Sequence, residues 1–278
     1  LKRTPGGSSS GSAAAVAARM VPLAIGSQTN GSVIRPASFC GIYGFKPTYG
    51  KISRSGVLQL SRILDHIGVF ARTIEDIALI TECLMSYDPD DPDSIPTSTP
   101  TNLTKIFNQD PPTEPKFAFV KSSVWGYAEK DTQKAFEEIS NFLGIQCEEI
   151  KLPSEFSKII GNLRKIMNAD LARFLSEYIQ RGEEKISEIL RGLIKEGISV
   201  SAIDYNNSVE QIRPMADWIL NLSNEYDAII TPAACGEAPI GLESTGDPIF
   251  CSTWTYLGVP AISLPLLESK NRLPIGLQ

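Results

Sequence analysis

Apolar positions along this chain recur at two periods. Short alternating or continuous apolar runs beside turns occur in VPLAIG (21–26), GIYGFKP (41–47), KFAFVK (116–121), CEEIKLP (147–153), DAIITP (227–232) and VPAISLPL (259–266). Each predicts a buried strand. Helical spacing governs much of the rest. AAAVAARM (13–20) follows the N-cap candidates of SSSGS (8–12), and Thr73 stands where it can cap IEDIALITECLM (74–85), with Glu75 and Asp76 at the positive end. Ala135, Phe136, Ile139, Phe142 and Leu143 fall on one helix face closed by Gly144, and about three amphipathic helices fill residues 155–226. A long Gly/Pro-rich loop precedes the final apolar run.

Strands alternating with helices predict an α/β layered fold in one domain, residues 1–278. A core covers about 1–95. The Pro-, Asp- and Thr-rich YDPDDPDSIPTSTPTNLTKIFNQDPPTEP (87–115) marks a linker or excursion, centred on about 96–115. A helical part returning to the sheet covers about 116–278. The chain opens at Leu1 and stops inside the strand-like LPIGLQ (273–278), which reads as a fragment.

Composition narrows the function. A net charge of -6 argues against nucleic-acid partners. The longest weakly polar stretch, SAAAVAARMVPLAIG, is interrupted by Arg19 and Pro22, so it does not read as a membrane span. Five scattered cysteines and the single His66 form no zinc pattern, which predicts free thiols in a reducing, cytoplasmic setting with no metal and no cofactor. Charge is also uneven. Residues 1–64 hold eight basic side chains and no Asp or Glu, so no carboxylate from this segment can act as a general base. A basic surface face accounts for the bias equally well.

The serines carry the chemistry. GSSSG (7–11) matches the G-x-S-x-G nucleophile elbow with Ser9 at its centre, but LKRTPG is a poor preceding strand. His66 and its immediate neighbour Asp65 are badly placed to complete a triad. A flexible Gly/Ser linker is the plain compositional reading of GGSSSGS. The larger pattern decides between them. TPGGSSSGSAAAVAARMVPLAIGSQTNGSVIRPASFCGIYGFKP (4–47) resembles the amidase signature family, with later echoes in LDHIGVFARTIEDIALI, SYDPDDP, YDAIITP, STGDPIF, WTYLGVPAISLPL and LPIGLQ. The stretch from about 100 to 220 resembles it less.

The resemblance implies a mixed β-sheet core covered by helices on both sides, and a Ser–Ser–Lys triad. Ser32 corresponds to the acyl-ester nucleophile, and Ser8, on a cis peptide bond, to the relay. The lysine lies upstream in that family, in a part this chain lacks; Lys2, Lys46 and Lys51 do not match it, so the fragment alone is expected to be inactive. A hydroxyl both donates and accepts, which suits Ser8 to pass a proton onward. The lysine must be neutral, whereas an ordinary one titrates near about 10.4; burial and neighbouring positive charge lower that value. The oxyanion hole maps to the backbone N–H groups of Thr29, Asn30, Gly31 and Ser32. Position 30 is usually Gly in the family, and Asn is the next most tolerant of a left-handed backbone.

Two further departures bear on substrate. Gln28 replaces the commoner Asp, and Arg35 stands three residues after Ser32 instead of two, so the chain looks less like the A-type component of a tRNA-dependent amidotransferase. Arg35 is either a structural charge or a reader of a substrate carboxylate. Gln28, Ser9 and Trp254 complete the expected substrate-binding set, and His66 reads as structural. The implied reaction is hydrolysis of a small-molecule amide. The alternatives are an amidotransferase component passing ammonia to a partner and an inactive fragment, with a homodimer left open.

Overall fold

The computed structural model describes residues 2–96 and 102–278. The chain runs α1 (Ser10–Ala17), β1 (Leu23–Gln28), α2 (Ile34–Cys40), β2 (Tyr43–Lys46), β3 (His66–Ala71), α3 (Ile74–Leu84) and α4 (Leu103–Phe107). Next come β4 (Phe117–Val120), α5 (Lys130–Leu143) and β5 (Cys147–Ile150). The helices α6 (Ile159–Phe174), α7 (Ser176–Gly182), α8 (Glu188–Ile198), α9 (Ala202–Glu210) and α10 (Ile212–Leu222) follow. The chain closes with β6 (Ala228–Ile230), α11 (Ile249–Tyr256), β7 (Ala261–Glu268) and β8 (Pro274–Leu277).

The strands form two ladders, β1-β3-β2-β7-β8 and β5-β4-β6. They join where the chain leaves β6. The Thr231 and Gln278 backbones exchange N–H···O bonds of 2.9 and 2.8 Å, and Ala233 N–H donates to Gly276 O at 3.1 Å. One mixed sheet results, antiparallel on the β1 side and parallel through β6, β4 and β5. Helices cover both faces of its centre. Phe70 of β3 packs with Ala13, Val16, Val33 and Ala37 of the α1–α2 side, while Val69 and Ala71 pack with Ile77 of α3. The α/β fold implied by the resemblance is therefore present.

All six residues of β3 are buried, so the strand carries no alternation from which its period can be read. α2 and α11 escape periodicity for the same reason, being apolar or buried nearly all round. Pro36 sits in the first turn of α2, where its missing N–H costs nothing. Thr73 caps α3 as its position predicts, accepting from Asp76 N–H at 3.2 Å.

Three expectations change. Residues 155–226 form five helices, not about three. Phe142 is 89% exposed and does not join the buried face of α5, because six positions turn it roughly 120° round the helix from Phe136. The excursion is not free where it is described. Arg54 and Arg62 hold Asp91 and Asp93, and Thr104 of α4 bonds Glu82 of α3 at 2.8 and 2.9 Å. Residues 97–101 of that expected linker lie outside the described residues.

Candidate active site

Residues 29–32 connect β1 to α2, and the turn is braced from behind. Gln28, the last residue of β1, is fully buried. Its Oε1 accepts the N–H groups of Val33 at 2.8 Å and Ile34 at 3.0 Å, and its Nε2 donates to Thr255 Oγ1 at 2.9 Å. Thr255 in turn donates to Asn30 O, and Ser252, also on α11, donates to Asn30 Oδ1 at 2.6 Å. Thr29 Oγ1 donates to Asp65 Oδ1 at 2.6 Å. Gly31 is required by contact, since a Cβ there would lie 2.8 Å from Pro248 Cβ. With Gln28 serving the next two amides, the N–H groups of Thr29, Asn30, Gly31 and Ser32 have no acceptor among the described residues.

The serine cluster docks against this turn. Ser9 N–H donates to Ser32 O at 3.4 Å. The Ser9 hydroxyl takes both backbone groups of Ser27, donating to its O at 3.1 Å and accepting from its N–H at 3.2 Å. Gly26 allows this approach, because a Cβ on it would lie 2.7 Å from Ser9 Oγ. The Gly7–Ser8 peptide is cis, as the resemblance implies. Ser8 is exposed and Ser32 half-buried, and neither hydroxyl bonds a described residue.

Arg35, in the first turn of α2, is 5% exposed. Its Nη2 donates to Gly7 O at 2.7 Å and to Thr245 Oγ1 at 3.2 Å. Burial lowers its pKa. Two further titratable groups lie behind the turn. His66 pairs Nδ1 with Leu64 O at 2.7 Å, and burial together with the Lys46 charge holds its pKa well below the usual value, so it is neutral. Lys46 is wholly buried, donates to Val259 O at 2.5 Å and Pro47 O at 3.3 Å, and is pulled down to about 7 by burial.

A cavity of about 300 Å³ opens on the Thr29 side of the turn. Ser27, Thr29 and Asp65 line it, together with Leu58, Arg54 and Arg173. Part of its charged wall is closed on itself: Arg54 bonds Asp91 at 3.2 Å and Asp93 at 2.7 Å, and Arg62 bonds Asp93 at 2.9 Å.

A sequence model of the Amidase family matches residues 1–278. The chain belongs to that family. Within it, this amidase-family chain is 32% identical over 310 residues to the A component of glutamyl-tRNA(Gln) amidotransferase from Thermotoga maritima, covering 100% of this chain and 64% of that protein. The solved structure of that Thermotoga protein superposes with a TM-score of 0.81 at 31% identity, covering 100% and 62% of the two chains. A solved amidase gives 0.80 at 26% identity, again with 100% and 62% covered. A chain of a vestigial complex, described as revealing the origins of an s-triazine catabolic enzyme, gives 0.89 at 24% over 100% and 63%, a likeness of fold. The chain spans just under two thirds of the length of the curated relatives it matches. These relatives are amidotransferase components of the A type despite the departures at Gln28 and Arg35.

The serine cluster thus reaches the 29–32 turn through Ser9, whose N–H bonds Ser32 O, and the expected substrate-binding set is redistributed. Gln28 faces inward, its amide engaged with backbone and Thr255, and the half-exposed Ser9 hydroxyl is taken up by the Ser27 backbone. Trp254 packs with Leu64, Ile159 and Met215 in the core and borders a separate apolar cavity that none of the turn residues lines. Asn30 is not among the residues with positive φ, so the turn needs no left-handed residue there; its side chain is anchored instead. Ser252, Thr255 and Asp65 join the site unexpectedly, although Asp65 lies within the LDHIG echo, Thr255 within WTYLG, and Ser252 between STGDPIF and WTYLG.

Proposed function

We propose that the full-length protein cleaves a carboxamide C–N bond through an acyl-enzyme on Ser32. Ser8 relays the Ser32 proton towards a lysine supplied by sequence preceding this chain. The observation that carries this reading is the row of N–H groups from Thr29 to Ser32. All four lack acceptors among the described residues, while the neighbouring amides of Val33 and Ile34 are bonded to Gln28. Such a row suits an oxyanion, for which a single donor contributes roughly 3 kcal/mol in the transition state. Attack by Ser32 Oγ on the amide carbon would place the oxyanion against these donors. The amine then leaves with the relayed proton, and water releases the acid. The open cavity beside Thr29, which Ser32 does not itself line, offers space for a more distant part of a small amide.

The test is acylation of the full-length protein by a fluorophosphonate, followed by identification of the labelled residue. Label on Ser32 supports the assignment; label on another serine, Ser9 for example, refutes it.

A second reading is favoured by the names of the relatives, which are A-type amidotransferase components at 30–34% identity. In that case the released ammonia passes to a partner protein. Stable co-purification with a partner, and glutamine-dependent amide formation only in its presence, distinguish this reading from free hydrolysis.

A further inference from the structure

Arg35 and Arg54 are both buried arginines near the Thr29–Ser32 turn, and the fold treats them differently. Arg54 spreads its guanidinium over Asp91, Asp93 and the carbonyl oxygens of Arg62 and Asp65. Arg35 is 5% exposed, yet no carboxylate among the described residues pairs with it. Its Nε and Nη1 are closed to solvent and find no acceptor among those residues. Asp247 acts on it only at longer range. A buried charge without a partner, with unfilled donors, works against stability. Departures of this kind from good packing concentrate where a site needs them.

The one strong bond Arg35 makes is informative. Its Nη2 holds Gly7 O at 2.7 Å, and that oxygen belongs to the peptide leading directly into Ser8. Thr245 closes the other side: it accepts from the same Nη2 at 3.2 Å, and its Cγ2 would lie 2.6 Å from a Cβ on Gly7. Fixing the Gly7 carbonyl fixes the peptide plane from which the Ser8 side chain departs. Because its free N–H groups are sealed, a substrate carboxylate has no access to them.

We infer that Arg35 is a positioning residue for Ser8, holding the Gly7 carbonyl and placing a fixed positive charge behind the proton relay. The inference rests on the proposed role of Ser8. A positive charge there also favours the neutral form of a nearby lysine base. The base must be neutral to act, so activity rises with pH through its pKa. Removing the charge raises that pKa and moves the acid limb of kcat/KM to higher pH.

The test compares wild type, Arg35→Met and Arg35→Lys in the full-length protein. It uses a neutral primary amide and its ω-carboxylated analogue from about pH 6 to 10, together with the rate of Ser32 labelling by a fluorophosphonate. Arg35→Met should lower kcat roughly 10- to 100-fold on both amides alike, as for a misplaced reacting group, with KM changed less than about threefold. Labelling should slow by the same factor, the acid limb should move upward, and Arg35→Lys should recover part of the loss. The melting temperature of Arg35→Met should hold or rise, since an unpaired buried charge is gone. A loss confined to the acidic amide, or carried by KM, would make Arg35 a substrate reader. Unchanged kcat with a lower melting temperature would make it purely structural. Either result overturns the inference while leaving amide cleavage standing. A wild type inert to both amides and to the probe removes amide cleavage, and this inference with it.

Discussion

Behind the Thr29–Ser32 turn and beside it stand two supports built from different chemistry. The brace behind is neutral: the Gln28 amide, the Thr255 and Ser252 hydroxyls and the Asn30 side chain bond one another and the backbone. The wall beside it is ionic, with Arg54 and Arg62 closed on Asp91 and Asp93. Neutral amides and hydroxyls keep their bonds across the whole pH range in which a lysine base can titrate. Carboxylates do not keep theirs in acid. The fold has thus put its pH-independent contacts behind the turn proposed to hold the reacting atoms. Its charged contacts stand beside the turn, where Asp65 accepts from Thr29 Oγ1 and the Arg54 and Arg62 pairs hold the loop at 88–95.

The largest effect should come from the turn itself. Ser32→Ala in the full-length protein should reduce amide turnover on the order of 10⁴-fold or more and leave the melting temperature unchanged. Retained turnover would show that the turn is not the catalytic region at all. Next in size is the ionic wall. Arg54→Met strands Asp91 and leaves Asp93 to Arg62 alone, and breaking a buried pair in this way costs about 3–5 kcal/mol of stability, measurable by urea unfolding at neutral pH. Gln28→Leu attacks the neutral brace. It leaves the Val33 and Ile34 N–H groups without acceptors, at about 1–3 kcal/mol for a buried unsatisfied group, and kcat should fall with them. The loss should be the same at every pH, and a pH-dependent one would contradict the neutral character of the brace.

Acid separates the two supports further. The Asp91 carboxyl is held down at about 2 by hydrogen bonds from the Arg54 guanidinium and backbone and the Asp93 N–H, against burial that pushes the other way. A depressed folded pKa stabilises above the unfolded value and loses that contribution as pH falls through the folded one. Stability from the wall should therefore be full above about pH 4 and fade towards about pH 2. Unfolding curves of Arg54→Met should lack this component. The smallest effect belongs to His66→Ala, which should change turnover only a few-fold. A larger loss, approaching the roughly 10²–10⁴ of a missing general base, would implicate the imidazole in catalysis.

Elements with one less buried face are legible in the sequence, as β2, α3 and α5 illustrate. β3, α2 and α11 are not, because residues buried on every side leave no period to read. The two serines proposed for catalysis are legible only through the long motif around them, since neither Ser8 nor Ser32 has a distinctive neighbour of its own. The bracing roles of Gln28 and Ser9 are hidden for a different reason. Their partners range from Val33, five residues from Gln28, to the distant Thr255, and neither a side-chain amide nor a hydroxyl gives any sign in sequence of which way it turns.

The hydroxyls along α1 have a consequence for association. Among the described residues β1 is the outermost strand of its ladder, and an outer strand offers N–H and C=O groups on which another extended chain can template. Ser9 already occupies both groups of Ser27, and Ser12 donates to Ile25 O at 2.8 Å. An incoming strand must displace two serines before it gains its first bonds, so the cluster that contains Ser8 also guards this edge against growth by strand addition.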